Sequence, residues 1–177
     1  MNDLVEIATP GISDYKQSIL SFKLREVLEG TLRILESDYD FGEQITLQVT
    51  DQVKTQLIGD PSLLRSALIN LVKGVAPYRA SKEPLSLAVE VAKDANSQLF
   101  LSFVLHFSSE RTKTLEKTLL RLRKQQEQRH SYLSNAHKLI TLSAGTLRLT
   151  TEGTSASLAF TQPFSKDPTR AVVPQKE

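Results

Sequence analysis

Residues 59–75 announce a helix more firmly than any other stretch of this chain. Asp60 stands directly before Pro61. An aspartate offers its carboxylate to the free N–H groups of a first turn, and a proline at the first helical position has no N–H to leave unpaired. Leu64, Ala67, Leu68, Leu71, Val72 and Val75 then recur at helical spacing, and Pro77 limits continuation. The result is a helix with one apolar face, which any fold of this chain must cover.

The flanking segments alternate between the two periodicities. Residues 1–9, closed by Pro10-Gly11, look like the last turns of a helix, and a short extended stretch follows at about Lys16–Leu20. Leu24, Val27, Leu28, Leu32 and Leu35 predict a helix from Leu24 to about Glu36, while Ile45, Leu47 and Val49 predict a half-buried strand. Leu85–Val91 and Leu99–Phe107 read as strands joined through Asp94-Ala95-Asn96-Ser97. Glu110–Arg129 reads as a charged helix with Leu115, Leu119 and Leu122 on one side. Ser131 to about Ala144 reads as a helix with Gly145 as its C′ residue. Thr146–Thr151 and Ser157–Phe160 form a hairpin around Glu152-Gly153-Thr154, and the tail from Ser165 reads as a linker. Strands and helices in this irregular order predict an α+β fold, a two-layer α/β sandwich. Its sheet is mixed, mostly antiparallel, and covered on one face by helices.

At 177 residues the chain can bury a core without staples, and 40% hydrophobic with 24% charged residues describes an ordinary globular protein. The absence of cysteine excludes disulfides, thiolate zinc sites and cysteine nucleophiles. No apolar run reaches the ~20 residues of a membrane span, and the first residues are no signal peptide. A net charge of +2 points to neither nucleic acid nor membrane.

Several motifs, in order, resemble the ATP-binding catalytic domain of sensor histidine kinases, of the GHKL (HATPase) superfamily. Leu4-Val5-Glu6-Ile7 resembles the end of the dimerisation and phosphotransfer hairpin, and residues 22–28 the lead into the first helix. Gly59-Asp60-Pro61-Ser62-Leu63-Leu64-Arg65 followed by Ser66-Ala67-Leu68-Ile69-Asn70-Leu71-Val72 is similar to the N-box and its approach. Residues 139–147 resemble the last helix and its exit, and residues 153–163 the final strand. The resemblance implies a hairpin end at residues 1–10, a kinase-like domain at 11–164, and a linker at 165–177. The piece looks excised from a longer polypeptide.

The chemistry implied by the family is largely missing. One N-box asparagine would hold the magnesium of ATP, and Asn70 fills that place, but Gly74 stands where a second is expected. Pro77 replaces a basic residue, with the aromatic Tyr78 retained. The adenine-reading Asp and its glycines should follow Leu99–Phe107, where the chain reads Leu105-His106-Phe107-Ser108-Ser109-Glu110-Arg111. No Asp occurs between Asp94 and Asp167, and no glycine between Gly74 and Gly145. The phosphate-cradling glycines of the last helix fall at about His130 and Tyr132, whose side chains would fill the space a phosphate needs. Each lost polar partner costs about 1–3 kcal/mol, so the losses together remove several powers of ten in affinity.

Other candidates are weaker. Asn70 is more simply a residue kept with its helix than a magnesium ligand. His130 and His137 share a helix face, but zinc needs a third ligand, and none of His106, His130 and His137 sits in a phosphoacceptor context. Glu110–Arg129 carries seven basic and three acidic residues where the family has its ATP lid. Arg111, Lys113, Lys117, Arg121, Arg123 and Lys124 are the candidate docking residues for an acidic partner, against a solvated helix face as the plainer alternative. No aromatic residue interleaves with them, which argues against nucleic acid.

The expectation is a non-catalytic pseudo-ATPase domain of a two-component or phosphorelay protein. It would act as scaffold or docking platform for receiver or hairpin domains, not as an enzyme, and without catalytic residues, metal or cofactor. Nucleic acid and direct membrane insertion are not expected. The expected address is cytoplasmic, with tethering to the inner membrane through a longer parent left open. Two alternatives stand beside it: an unorthodox ATP-binding kinase domain, and the degenerate half of a histidine phosphotransferase.

Overall fold

Alternation along the two longest strands sorts the sheet into a buried and an open face. Leu99, Leu101, Phe103, Leu105 and Phe107 of β5 (Gln98–Ser108) are buried, as are Ala156, Leu158, Phe160, Gln162 and Phe164 of β7 (Ser155–Lys166). The antiparallel register sets Phe103 opposite Phe160 and Leu105 opposite Leu158. The buried residues therefore form one continuous surface, with Phe103 and Phe160 stacked at 4.7 Å between ring centroids. The computed structural model describes residues 18–37, 45–53, 56–80, 84–124 and 131–166.

The remaining strands are β1 (Leu20–Lys23), β2 (Ile45–Val49), β3 (Gln56–Gly59), β4 (Leu85–Asp94) and β6 (Thr146–Glu152). They complete one seven-stranded sheet in the order β1-β3-β7-β5-β4-β2, with β6 beside β7. Among the described strands only the β2–β4 pair is parallel. Four helices are described: α1 (Leu24–Glu36), α2 (Pro61–Val75), α3 (Thr112–Arg123) and α4 (Tyr132–Leu142). Their apolar faces join the buried strand face in one hydrophobic cluster. This is the expected α+β architecture.

The predicted start of α2 forms as the sequence dictates. Asp60 is buried, its Oδ1 accepts from the Leu63 N–H at 3.0 Å, and Pro61 takes the first helical position. Its Oδ2 accepts from the Ser18 N–H, also at 3.0 Å, so one carboxylate caps the helix and anchors the approach to β1. After Val75 the chain tightens into a 3₁₀ turn, Ala76–Tyr78.

Several boundaries differ from expectation. The first described strand is Leu20–Lys23, whereas residues 16 and 17 of the expected Lys16–Leu20 stretch lie outside the described residues; β1 pairs with β3, which has no clear sequence signal. β7 runs from Ser155 to Lys166, far beyond Ser157–Phe160. Pro163 does not end it, because it lies between the stretch paired to β6, which stops at Thr161, and the stretch paired to β3, which starts at Ser165. Lys166 closes the strand with an ion pair to Asp94. α3 starts at Thr112 instead of Glu110, since the Ser109 hydroxyl accepts from the Arg111 N–H at 2.9 Å and holds a turn there. The expected hairpin end at residues 1–10, the last turns of the charged helix at 125–129, and residues 167–177 lie outside the described residues.

The end of α4 also departs from prediction. The residue with left-handed backbone is Ala144, at φ 63°, and the Gly145 N–H reaches the Ile140 carbonyl at 2.8 Å. Gly145 answers a different demand. A Cβ there would stand 2.7 Å from the Thr161 carbonyl oxygen, so the glycine lets α4 turn closely over β7.

Candidate functional site

Three elements meet at the end of α2: its last turn with the 3₁₀ segment, α3, and the start of α4. Between them lies an open cleft of about 380 Å³ lined by Lys73, Gly74, Tyr78, Arg111, Arg121 and Tyr132, among others. The Ser131 hydroxyl accepts from the Ser134 N–H at 3.1 Å and caps α4 at the edge of this cleft.

α2 and α4 touch without space between them at Gly74. A Cβ on that residue would stand 2.7 Å from Leu133 Cγ and Cδ2 and 3.0 Å from the Leu133 backbone nitrogen. The next residue toward solvent is Tyr132, the first of α4, with the Lys73 ammonium 5.7 Å from its ring centroid. One turn earlier on α2, Asn70 is fully buried. Its Nδ2 donates to the Ser66 carbonyl at 2.8 Å, and its Oδ1 is buried without a hydrogen-bond partner.

The segment after β5 closes on itself. The Ser108 carbonyl accepts from the Ala80 N–H at 2.7 Å, and the Ser109 N–H donates to the Thr154 carbonyl at 2.7 Å. Ser109 is buried, and the chain passes straight into α3.

The six basic candidates of α3 and its approach separate into three groups. Arg111 and Arg121 line the cleft. The Arg111 guanidinium donates to the Pro77 carbonyl at 3.1 Å and lies 5.0 Å over the Tyr78 ring, whose hydroxyl meets Thr118 Oγ1 at 3.2 Å. Arg123 turns the other way and donates to the Leu147 carbonyl at 3.2 Å, beside the Thr151 hydroxyl, which donates to Glu116 at 2.9 Å. Lys113, Lys117 and Lys124 are exposed, and with half-exposed Leu120 they share an outward face at spacings of three, four and seven residues.

Of the histidines, His130 lies outside the described residues. The exposed His106 meets the Ser157 hydroxyl at 2.7 Å through Nδ1. His137 on α4 has its pKa lowered, chiefly by burial and then by the positive charges of Arg123 and Lys138. Among the described residues no three His, Cys, Asp or Glu side chains gather where they could hold a metal ion. No helix there is long and apolar enough to cross a membrane.

Lys73 and Leu133 escaped the sequence reading. Their one signal is Gly74, a glycine inside a helix that needs a packing reason to sit there.

No family model and no curated protein matches the sequence. Solved structures do match in shape. Histidine kinase AdeS of Acinetobacter baumannii superposes with a TM-score of 0.62 at 16% identity, over 91% of this chain and 74% of that one. Full-length ShkA in complex with AMPPNP gives 0.63 at 14% identity, over 94% of this chain and 36% of that one, so the chain spans about a third of its length. The catalytic domain of histidine kinase ThkA gives 0.54 at 15% identity, over 87% of this chain and 99% of that one. At these identities the likeness concerns the fold, and the fold is that of the histidine kinase catalytic domain, the HATPase-like fold.

Proposed function

We propose that this chain is a pseudo-ATPase domain of a two-component or phosphorelay protein, a kinase-like scaffold that offers a docking surface in place of ATP chemistry. The observation that carries the reading is the seating of Leu133 on Gly74. An ATP phosphate group and its magnesium need open space and free N–H groups between the two helices, and at Gly74 the two helices pack directly through the Leu133 side chain. Asn70, the one N-box asparagine, is sealed in the core with its Nδ2 donating within its own helix. Tyr132 occupies a position where the resemblance asks for glycine. The residues present do not fit a magnesium nucleotide.

Docking is supported by α3. Three internal ties hold it against the domain: Arg111 to Pro77, Arg123 to Leu147, and Glu116 to Thr151. Buried Leu115, Leu119 and Leu122 fix its inner face. A helix so held presents Lys113, Lys117 and Lys124 around Leu120 as a fixed pattern. Such a stripe suits a partner with clustered carboxylates and a small apolar spot, such as a receiver domain. NMR titration with the receiver and hairpin domains encoded with this chain tests the proposal. Shifts should map to α3, and joint Lys113→Glu, Lys117→Glu and Lys124→Glu substitution should abolish them. No shift at high micromolar partner would overturn the docking reading.

A further inference from the structure

Beside α3 the sheet ends in a strand whose outer edge is open. Among the described residues β6 pairs with β7 and with no other strand. We infer that this edge, with the groove along it, takes an extended acidic segment of a partner protein by β-strand addition, one apolar side chain of that segment seating in the groove. The inference rests on the docking reading for the sign of the partner's charge, and adds the form in which the partner binds.

The turn between β6 and β7 fixes which backbone groups point outward. Glu152 faces Ser155 across Gly153 and Thr154, and of these two only Gly153 has a positive φ, 63°. That is the pattern of a two-residue hairpin of type II′, whose flanking residues exchange hydrogen bonds. Bonded pairs alternate along an antiparallel ladder. Glu152, Thr150, Arg148 and Thr146 therefore bond to β7, while Thr151, Leu149 and Leu147 turn their N–H and C=O groups away from it. Arg123 agrees with this parity, since it reaches the Leu147 carbonyl from outside the sheet at 3.2 Å. That contact closes one end of the edge and leaves Leu149 and Thr151 open.

Edge strands are normally guarded by shortness, proline, a bulge or an inward charge. β6 has seven residues, no proline and an unbroken register with β7. Leu149 and Thr151 border a groove of about 320 Å³ against α3, completed by Glu116, Leu119, Leu120 and Arg123. In antiparallel addition a residue paired with Leu149 would point its side chain into this groove, because opposed residues share a face. Leu119 and Leu120 make that spot apolar. Exposed Lys117 and Lys124 stand one turn to either side of Leu120. Residues two positions before and after the seated one point the same way, so carboxylates there meet those lysines. Glu116 puts one carboxylate on that wall, held by the Thr151 hydroxyl and outnumbered by Lys113, Lys117 and Lys124. The fitting segment alternates acidic, apolar and acidic side chains on one face. A second copy of this chain fits poorly, since two-fold pairing of β6 edges would set two lysine-bearing α3 helices side by side.

The probe is a capped heptapeptide in which threonine alternates with glutamate, valine and glutamate. It is titrated into the whole chain and followed by amide NMR and hydrogen exchange. The inference expects saturable binding, with exchange at the Leu149 and Thr151 amides slowed about tenfold or more. Replacing the glutamates with lysine should abolish binding. N-methylation of the valine, which removes the donor to the Leu149 carbonyl, should weaken it about tenfold or more. Leu120→Glu, at a half-exposed position whose change leaves the fold intact, should weaken it likewise. No binding up to millimolar peptide overturns the inference, as does equal binding of the N-methylated peptide. Peptide shifts on α3 with unchanged exchange at Leu149 and Thr151 also overturn it, while the docking reading stands. Edge amides already protected in the free chain overturn it too. Protection that rises with protein concentration would then assign the edge to a second copy, and constant protection to the chain's own remaining residues. If receiver and hairpin domains leave α3 unshifted while the peptide still protects the edge, those domains fall as partners and strand addition is supported.

Discussion

Replacing Gly74 with alanine sets two opposed effects against each other at one position. In a helix interior alanine is favoured over glycine by about 1 kcal/mol, so an unpacked site would gain stability. At Gly74 the new methyl would stand 2.7 Å from two carbons of Leu133 and 3.0 Å from its backbone nitrogen. The side-chain contacts can be relieved by a rotamer change, but the backbone contact requires α4 to move. Overpacking of this kind costs about 1–3 kcal/mol, and a backbone neighbour places it in the upper half. The net expectation is a loss of about 1–2 kcal/mol. Leu133→Ala alone, removing a buried leucine, should cost about 2–4 kcal/mol. The double variant should be about 1 kcal/mol more stable than the sum of the two, because the shortened side chain admits the new methyl. Urea denaturation of the four proteins closes the cycle. A Gly74→Ala variant as stable as the parent, or an additive cycle, would refute the close seating of α4 on α2.

Other substitutions probe separate joints. Asp60→Ala removes both the α2 cap and the Ser18 anchor and should cost about 1–2 kcal/mol in urea denaturation, while Asp60→Asn should lose less. Ala144→Gly relieves a left-handed backbone at the end of α4 and should gain about 1 kcal/mol or slightly less in the same assay. For His137 the folded pKa lies below the unfolded value of 6.5, so the unfolded chain binds the proton more readily. Its contribution to stability is complete above that value and is lost as pH falls from there toward the folded pKa. Thermal melts between pH 8 and 5 should show this decline, and His137→Gln should flatten it.

The elements that the sequence declares are those whose local chemistry and burial agree. Asp60-Pro61, the Leu24–Glu36 repeat and the β5 alternation each form as written because the apolar face and the capping residue demand the same conformation. β3 was illegible, since four residues holding one buried leucine have no period to read. The length of β7 was hidden by Pro163, whose place between two partner strands depends on topology. Gly145 misled, because glycine answers close approach as well as positive φ, and only the structure separates the two. At the site, missing motifs were readable as absences. What replaces them was not, because Leu133 meets Gly74, and Lys73 meets Tyr132, across a distance in sequence that periodicity cannot bridge.

The central claim is that the residues now standing at the nucleotide site do not fit a magnesium nucleotide. Calorimetric titration of the intact chain with ATP, with and without magnesium, tests it most directly. The account predicts no binding that needs magnesium and no preference for ATP over tripolyphosphate. Magnesium-dependent, adenine-selective binding that Asn70→Ala abolishes would contradict it.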